Sequence, residues 1–184
     1  HTRFRGVTGV QTCALPISLV SGPTAIEPPP FLRTIPVVSA QDMYDAISEN
    51  APQADFIFMA AAVADYTPTE CADNKIKKKD GDMAIALKRT QDILGFLGEH
   101  RAPGQILCGF SMETQNMLEN SRAKLSKKHV DMICANNLKV PGAGFGVDTN
   151  ILTLITRDAV TELPKMSKEE AANAILDQAL TLMK

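Results

Sequence analysis

An α/β fold, a mostly parallel sheet flanked by helices with one inserted β-hairpin, is predicted by three features of the sequence. Apolar runs of strand length alternate with amphipathic runs of helix length, joined by short links. The run Asp55 to Ala61 lacks polar alternation, as expected of a central parallel strand covered on both faces. Soon after it, Lys75 to Lys79 and Met83 to Leu87 flank Asp80-Gly81, a turn pair that reads as a hairpin inserted into the alternation. Together these place the chain in the Rossmann-like class.

Residues 1–17 stand outside this pattern. There is no initiator Met, and Val7-Thr-Gly-Val-Gln-Thr-Cys-Ala-Leu-Pro-Ile17 looks like translated sequencing-adapter sequence, so this stretch is expected to be a non-native leader. Its apolar patch is too short and interrupted for a signal peptide. The folded domain is therefore expected over residues 18–184.

Ser18-Leu-Val-Ser-Gly22 reads as a short strand ending in Gly. Pro23 and Pro28-Pro-Pro30 make an extended loop, because proline fixes φ and lacks the amide that a helix needs. Thr34 to Ser39 reads as a second strand, with Pro36 suiting an edge position or the first residues of the strand. Ser39 then looks like an N-cap, with Asp42 in the first turn of a helix through Asn50 that turns Met43, Ile47 and Ala46 inward. Asp92 to His100 is a short helix weakened by Gly95 and Gly98. Gln105 to Phe110 is a buried strand. Glu113 to Lys128 is an amphipathic helix with Met117, Leu118, Ser121 and Leu125 inward; Asn120, Arg122, Lys124, Lys127 and Lys128 face outward or towards a ligand. Met132 to Ala135 is a strand, and Pro141-Gly-Ala-Gly-Phe-Gly146 is a Gly-rich loop that reads either as a lid or as a plain connection. Ile151–Thr156 and Val160–Leu163 form a hairpin. A capping box, Ser167-Lys-Glu-Glu170, opens a last helix with Ala171, Ile175, Leu176, Ala179 and Leu182 inward.

The 184 residues suit one domain with a sizeable core. A net charge of −2 provides no global field for nucleic acid, and the absence of Trp removes the best stacking platform. No apolar run is long enough to cross a membrane. Cys13, Cys71, Cys108 and Cys134 show no CxxC or metal-ligand spacing; this suits a reducing cytoplasm, with Cys108 and Cys134 as small core residues.

The chemistry centres on Met59 to Lys79. An apolar run ends abruptly at Asp65, and ten residues later the lysines begin: Lys75, Lys77, Lys78 and Lys79. A carboxylate at a strand mouth, small alanines that let a ligand approach the backbone, and clustered ammonium groups suit a polyanionic nucleotide. A buried strand followed by a solvated basic hairpin explains the same residues. Neither a P-loop nor a Gly-x-Gly-x-x-Gly fingerprint occurs, so phosphate would be held by lysines and by strand-end or helix-start amides. Lys124 and Lys128 share a helix face at i, i+4. Either a phosphate lies between them or they are cations suited to a helix C-terminus. Asp65 reads as a nucleotide contact, a Mg²⁺ ligand or a strand-end cap; Phe110 as a nucleotide contact or a core residue.

Ala61-Ala-Val-Ala-Asp-Tyr66 with Lys75-Ile-Lys-Lys78 resembles phosphopantothenoylcysteine synthetase, in bacteria commonly the C-terminal half of a bifunctional coenzyme A biosynthesis protein. Thr90-Gln-Asp-Ile-Leu94, Gly109-Phe-Ser-Met-Glu-Thr114, Lys124 with Lys128, Asp131-Met-Ile-Cys-Ala-Asn136 and Phe145-Gly-Val-Asp-Thr-Asn150 follow in the same order. The resemblance implies that 4′-phosphopantothenate and L-cysteine are ligated with CTP through an acyl-cytidylate, releasing pyrophosphate and CMP. Mg²⁺ would shield the triphosphate, and the enzyme would be a cytoplasmic homodimer, in the parent chain possibly fused to a decarboxylase. It implies nucleotide contacts at Met59, Ala60, Ala61, Asp65, Lys75, Asp92, Ile93, Leu94, Gly95, Phe110, Lys124 and Lys128, with Lys75 also catalytic; metal ligands stay unassigned. The family begins with a strand, a Gly-rich turn and a segment carrying a catalytic Asn, which should precede Ser18; the leader stands there instead. The chain is therefore expected to be a poor enzyme. Two other readings stay open: a non-catalytic nucleotide-binding fragment, and a nucleotide-dependent oxidoreductase, against which the missing glycine fingerprint counts.

Overall fold

A computed structural model describes residues 17–77, 81–113, 115–137 and 149–183, with the Asn137 side chain excepted. Lys78, Lys79 and Asp80, the Gly-rich loop and most of the expected leader lie outside the described residues.

Two short parallel strands open the fold, β1 (Ser18–Ser21) and β2 (Arg33–Pro36), paired in register from Ser18 with Arg33 to Ser21 with Pro36. The second strand stops before the expected Ser39. The amides of Val38 and Ser39 turn instead to the Asp42 carboxylate, and Ser39 accepts from the Asp42 amide. This is the capping box of helix α1 (Ala40–Asn50), which buries Met43 and Ile47 as its spacing predicts. A 3-10 turn over Ala51–Gln53 leads into β3 (Phe56–Met59).

β3 corrects the expectation of a buried central strand. It is only half-buried and forms the edge of a five-stranded sheet. Among the described residues its one ladder partner is β6 (Ile106–Glu113), which is flanked on its other side by β7 (Met132–Asn137), all parallel. Then β9 (Leu152–Thr156) and β10 (Val160–Glu162) continue antiparallel, the hairpin expected there. The β1–β2 pair forms a separate sheet, so an apolar run without alternation indicated strand but not a neighbour on each side. Residues 60–64 leave the ladder after Met59.

The inserted ribbon is also shifted. Among the described residues the ladder runs between β4 (Tyr66–Pro68) and β5 (Leu87–Arg89), so Leu87 pairs with Pro68; the expected pairing of Lys75–Lys79 with Met83–Leu87 lies partly outside the described residues. Thr69 extends it, donating through its amide to the Ala86 carbonyl at 2.9 Å. The excursion between the strands includes Lys75, which is exposed.

Asp92 caps α2 (Ile93–His100), accepting from the Gly95 amide. Helix α3 (Met117–Lys127) starts later than expected because β6 runs on to Glu113. Ser121 and Leu125 are buried, but Leu118 is exposed, on the margin of the apolar stripe. A minor pair, β8 (Thr149–Asn150) with β11 (Met166–Ser167), precedes α4 (Lys168–Thr181), whose Ser167–Glu170 capping box is present. α4 buries Ala171, Ile175 and Ala179; Leu176 is exposed, contrary to expectation.

Alternate residues of β6 serve opposite faces of the sheet. Leu107 packs with Ile93 and Leu97 of α2, Leu125 of α3, Met43 and Ile47 of α1, and Ile133. Ile106 and Cys108 pack with Met132, Cys134 and the inner face of α4. Cys108 and Cys134 are fully buried, as expected, with sulfurs 3.6 Å apart. Their mutual hydrogen bond, then burial, push the Cys108 thiol far up, so it is no nucleophile.

Candidate functional site

The carboxyl ends of β3 and β6 open into a cleft of about 480 Å³, walled by α2 and α3. Such crevices at strand ends are where open α/β sheets take ligands, and this volume suits one small molecule. Three stretches build it. Met59 at the end of β3, then Ala61 and Val63 to Asp65, form the floor. Thr90 to Leu94 bring the start of α2 to one wall. Phe110 and the α3 residues Asn120, Ala123, Lys124, Lys127 and Lys128 form the other.

Short-range bonds fix this geometry. The Thr90 hydroxyl donates to the Ala64 carbonyl at 2.6 Å, and the Thr90 amide donates to the Asp65 carbonyl at 3.0 Å. The floor is thereby stitched to the segment that starts α2. Lys124, half-buried, donates from Nζ to the Phe110 carbonyl at 2.9 Å. Burial lowers its pKa; the charges of Glu113, Asp92 and Asp65 oppose that, while Lys128 adds to it. Glu113 is itself held by the Ser111 hydroxyl and the Asn120 amide group.

Asp92 and Lys128 form an ion pair across the cleft wall. Partial burial pushes the Asp92 carboxyl up. The Lys128 hydrogen bond, the Gly95 amide and the charges of Lys128 and Lys127 outweigh it and hold the pKa below the usual 3.8.

Of the residues singled out from sequence, Met59, Ala61, Asp65, Asp92, Ile93, Leu94, Phe110, Lys124 and Lys128 line this cleft. Three do not. Gly95 lies just behind the wall, its amide spent on Asp92. Ala60 is exposed beside the floor, and Lys75 is exposed in the excursion between β4 and β5. Asn120 and Lys127, read from sequence as facing outward or towards a ligand but not named as nucleotide contacts, also line the cleft; they lie four residues before and three after Lys124, on its face of α3. Among the described residues, no group of three or more His, Cys, Asp or Glu is placed to hold a metal. No described helix is long and apolar enough to cross a membrane.

The chain matches a family model, the DNA/pantothenate metabolism flavoprotein C-terminal domain, over residues 10–183. It is 45% identical over 170 residues to the coenzyme A biosynthesis bifunctional protein CoaBC of Bacillus subtilis (strain 168), covering 91% of this chain and 42% of that protein. It is 34% identical over 168 residues to the protein of the same name from Escherichia coli (strain K12), covering 90% of this chain and 41% of that one. The chain thus spans less than half the length of these relatives. The crystal structure of the C-terminal domain of a coenzyme A biosynthesis bifunctional protein CoaBC superposes with a TM-score of 0.74 at 38% identity, covering 91% of this chain and 74% of that one. The mostly parallel α/β architecture, the cleft at its strand ends and these likenesses agree: the chain belongs to the family of DNA/pantothenate metabolism flavoprotein C-terminal domains.

Proposed function

We propose that the cleft binds CTP and serves the phosphopantothenate–cysteine ligase reaction of coenzyme A biosynthesis. The observation that carries this reading is the meeting of Lys124, Lys127 and Lys128 with Asp65 and Asp92 at the carboxyl ends of parallel strands. Three ammonium groups suit a triphosphate, which lysines bind as point charges. Asp65 is left to take ribose hydroxyls, and Phe110 to pack against the base.

In the reaction, a carboxylate oxygen of 4′-phosphopantothenate attacks the α-phosphorus of CTP, and the bond to pyrophosphate breaks. The cysteine amine then attacks the acyl carbon of the acyl-cytidylate. A C–N bond forms, CMP leaves with the former acyl C–O electron pair, and the amine gives up a proton. The lysines lower the barrier to the first step by neutralising charge that grows on the departing pyrophosphate. Lys75 joins them if its excursion folds towards the cleft. Mg²⁺, when bound with the nucleotide, would shield the triphosphate and be held mainly by its phosphate oxygens, with Asp65 the cleft carboxylate that would face it.

We read the active form as a cytoplasmic homodimer. Met83, Ile85 and Leu87, two residues apart on the arm leading into β5, are 69%, 63% and 57% exposed, an apolar row that a second copy would cover. The relatives' bifunctional names support a parent chain with a second activity, which we take to be a decarboxylase.

The test is a thermal-shift titration with CTP and Mg²⁺, with ATP as control and Lys75→Ala and Lys124→Met alongside. A CTP-selective rise in melting temperature, reduced in both variants, and CMP release that depends on cysteine support the reading. A cooperative melt that ignores CTP refutes it.

A further inference from the structure

Helix α2 packs against the end of α3 at a separation that only glycine permits. A Cβ at Gly98 would lie 1.8 Å from the backbone oxygen of Lys128 and 3.2 Å from the Cβ of His129. The α2 backbone would have to part from α3 by more than about 1 Å to admit a methyl group. One turn earlier, a Cβ at Gly95 would lie 2.6 Å from the Oδ2 atom of Asp92. Oδ2 is the atom that meets the Lys128 ammonium. The two glycines therefore touch the two partners of one ion pair, one through backbone and one through side chain. Glycine weakens a helix interior, and α2 has only eight residues, so local propensity does not account for them.

The end of α3 is fixed from its other side too. Lys128 closes the helix, His129 follows with a left-handed φ of 51°, and its carbonyl accepts from Arg101 just beyond α2. The Lys128 backbone is thus clamped where its side chain reaches the first turn of α2. There the carboxylate of Asp92 already caps the helix through the Gly95 amide. A phosphate entering the cleft meets an ammonium aligned in advance at a helix start, without an ordering cost.

We propose that Gly98, together with Gly95, is a positioning residue for nucleotide binding: the two glycines leave the space in which the Asp92 carboxylate and the Lys128 ammonium meet at the cleft wall. For its ligand this rests on the CTP reading above; the pairing itself is independent of any ligand. The charged groups around the pair are Lys127, Lys124 and Asp65, which line the same cleft.

Two readouts test it on the full chain: the NMR titration of the Asp92 carboxyl, and the dissociation constant for CTP by calorimetry. Gly98→Ala is expected to move the Asp92 titration up towards an ordinary aspartate and to weaken CTP about tenfold or more, the scale of a lost charge-assisted contact. In a Lys128→Met background, Gly98→Ala is expected to add nothing further to the loss of affinity. A purely structural glycine would lower the melting temperature, leave the Asp92 titration in place and act additively with Lys128→Met; that pattern overturns the proposal. If Gly98→Ala does not melt cooperatively, Gly95→Ala decides. The three atoms nearest its new carbon all belong to the movable end of Asp92, so the fold is kept, and an unshifted Asp92 titration refutes the positioning role. If the unsubstituted chain does not bind CTP, the nucleotide reading fails, and the Asp92 titrations alone decide whether the glycines set the pair.

Discussion

Replacing Lys124 by Met should weaken nucleotide binding strongly while hardly changing stability. The side chain is half-buried, and burial lowers its pKa from the ordinary 10.5. A lowered folded pKa means that the unfolded chain holds this proton more tightly. The charge therefore opposes folding at neutral pH, and stability rises with pH in the window between the folded value and 10.5. Met keeps most of the aliphatic stem and removes that opposition. It also relieves an i, i+4 repulsion with Lys128, worth about 0.2–0.5 kcal/mol. Against these gains stands the bond to the Phe110 carbonyl. A bond from a charged donor is worth about 1.5–3 kcal/mol, less here because the group is half in solvent. The contributions offset to within about 1 kcal/mol, a melting shift of about 2–4 °C for a chain of this size. The lost phosphate contact has no such offset, and about 1.5–3 kcal/mol corresponds to roughly 10- to 150-fold weaker CTP binding. Urea unfolding at neutral pH and again near pH 10, with calorimetric titration of CTP, measures both quantities. The wild type should gain stability relative to the variant as pH rises. A variant destabilised by more than about 2 kcal/mol with unchanged CTP affinity would make Lys124 a structural strut and refute this reasoning.

Three further outcomes are expected. Ile133→Ala removes a fully buried side chain packed against the α2–α3 face and should cost about 2–5 kcal/mol, read from the urea midpoint at constant slope. Ser121→Ala should raise stability by about 1 kcal/mol, because that hydroxyl is buried with no hydrogen-bond partner among the described residues; a loss would reveal one. Asp42 is held below its ordinary 3.8 by the Ser39 amide and hydroxyl and the Val38 amide, so its contribution is present above that value and is lost as pH falls through the folded pKa. Asp42→Asn should therefore flatten the fall of melting temperature below about pH 4; an unchanged acid limb would mean that other groups govern it.

What could be read from the sequence was what depends on nearby residues. Ser39 with Asp42 and Ser167 with Glu170 each carry their partner three positions away, and both capping boxes formed. The shared face of Lys124 and Lys128 follows from helical spacing in the same way. What could not be read depends on which strands meet. The run Phe56–Met59 showed that it could be buried, not that the sheet would leave it at an edge. The Asp80-Gly81 turn pair suggested a tight hairpin, but the ladder formed further out, where Thr67 meets Lys88. Leu118 and Leu176 lie at the margins of their stripes, where a small helix rotation decides exposure. The Asp92–Lys128 pair joins residues 36 apart and exists only because α2 and α3 touch, which no local pattern announces.

The two faces of the sheet also offer an experimental handle. The lysines and carboxylates of the cleft belong to the side of α1, α2 and α3, whereas α4 sits behind the sheet on a separate apolar cluster. Phe110 reaches both, packing against the α4 cluster while lining the cleft. A fluorophore attached at Asp177→Cys, with Cys13 and the exposed Cys71 replaced, would ride on the back of the molecule. It would report global unfolding without crowding an incoming nucleotide, and the same position would tether the chain to a sensor surface with its cleft facing the solution.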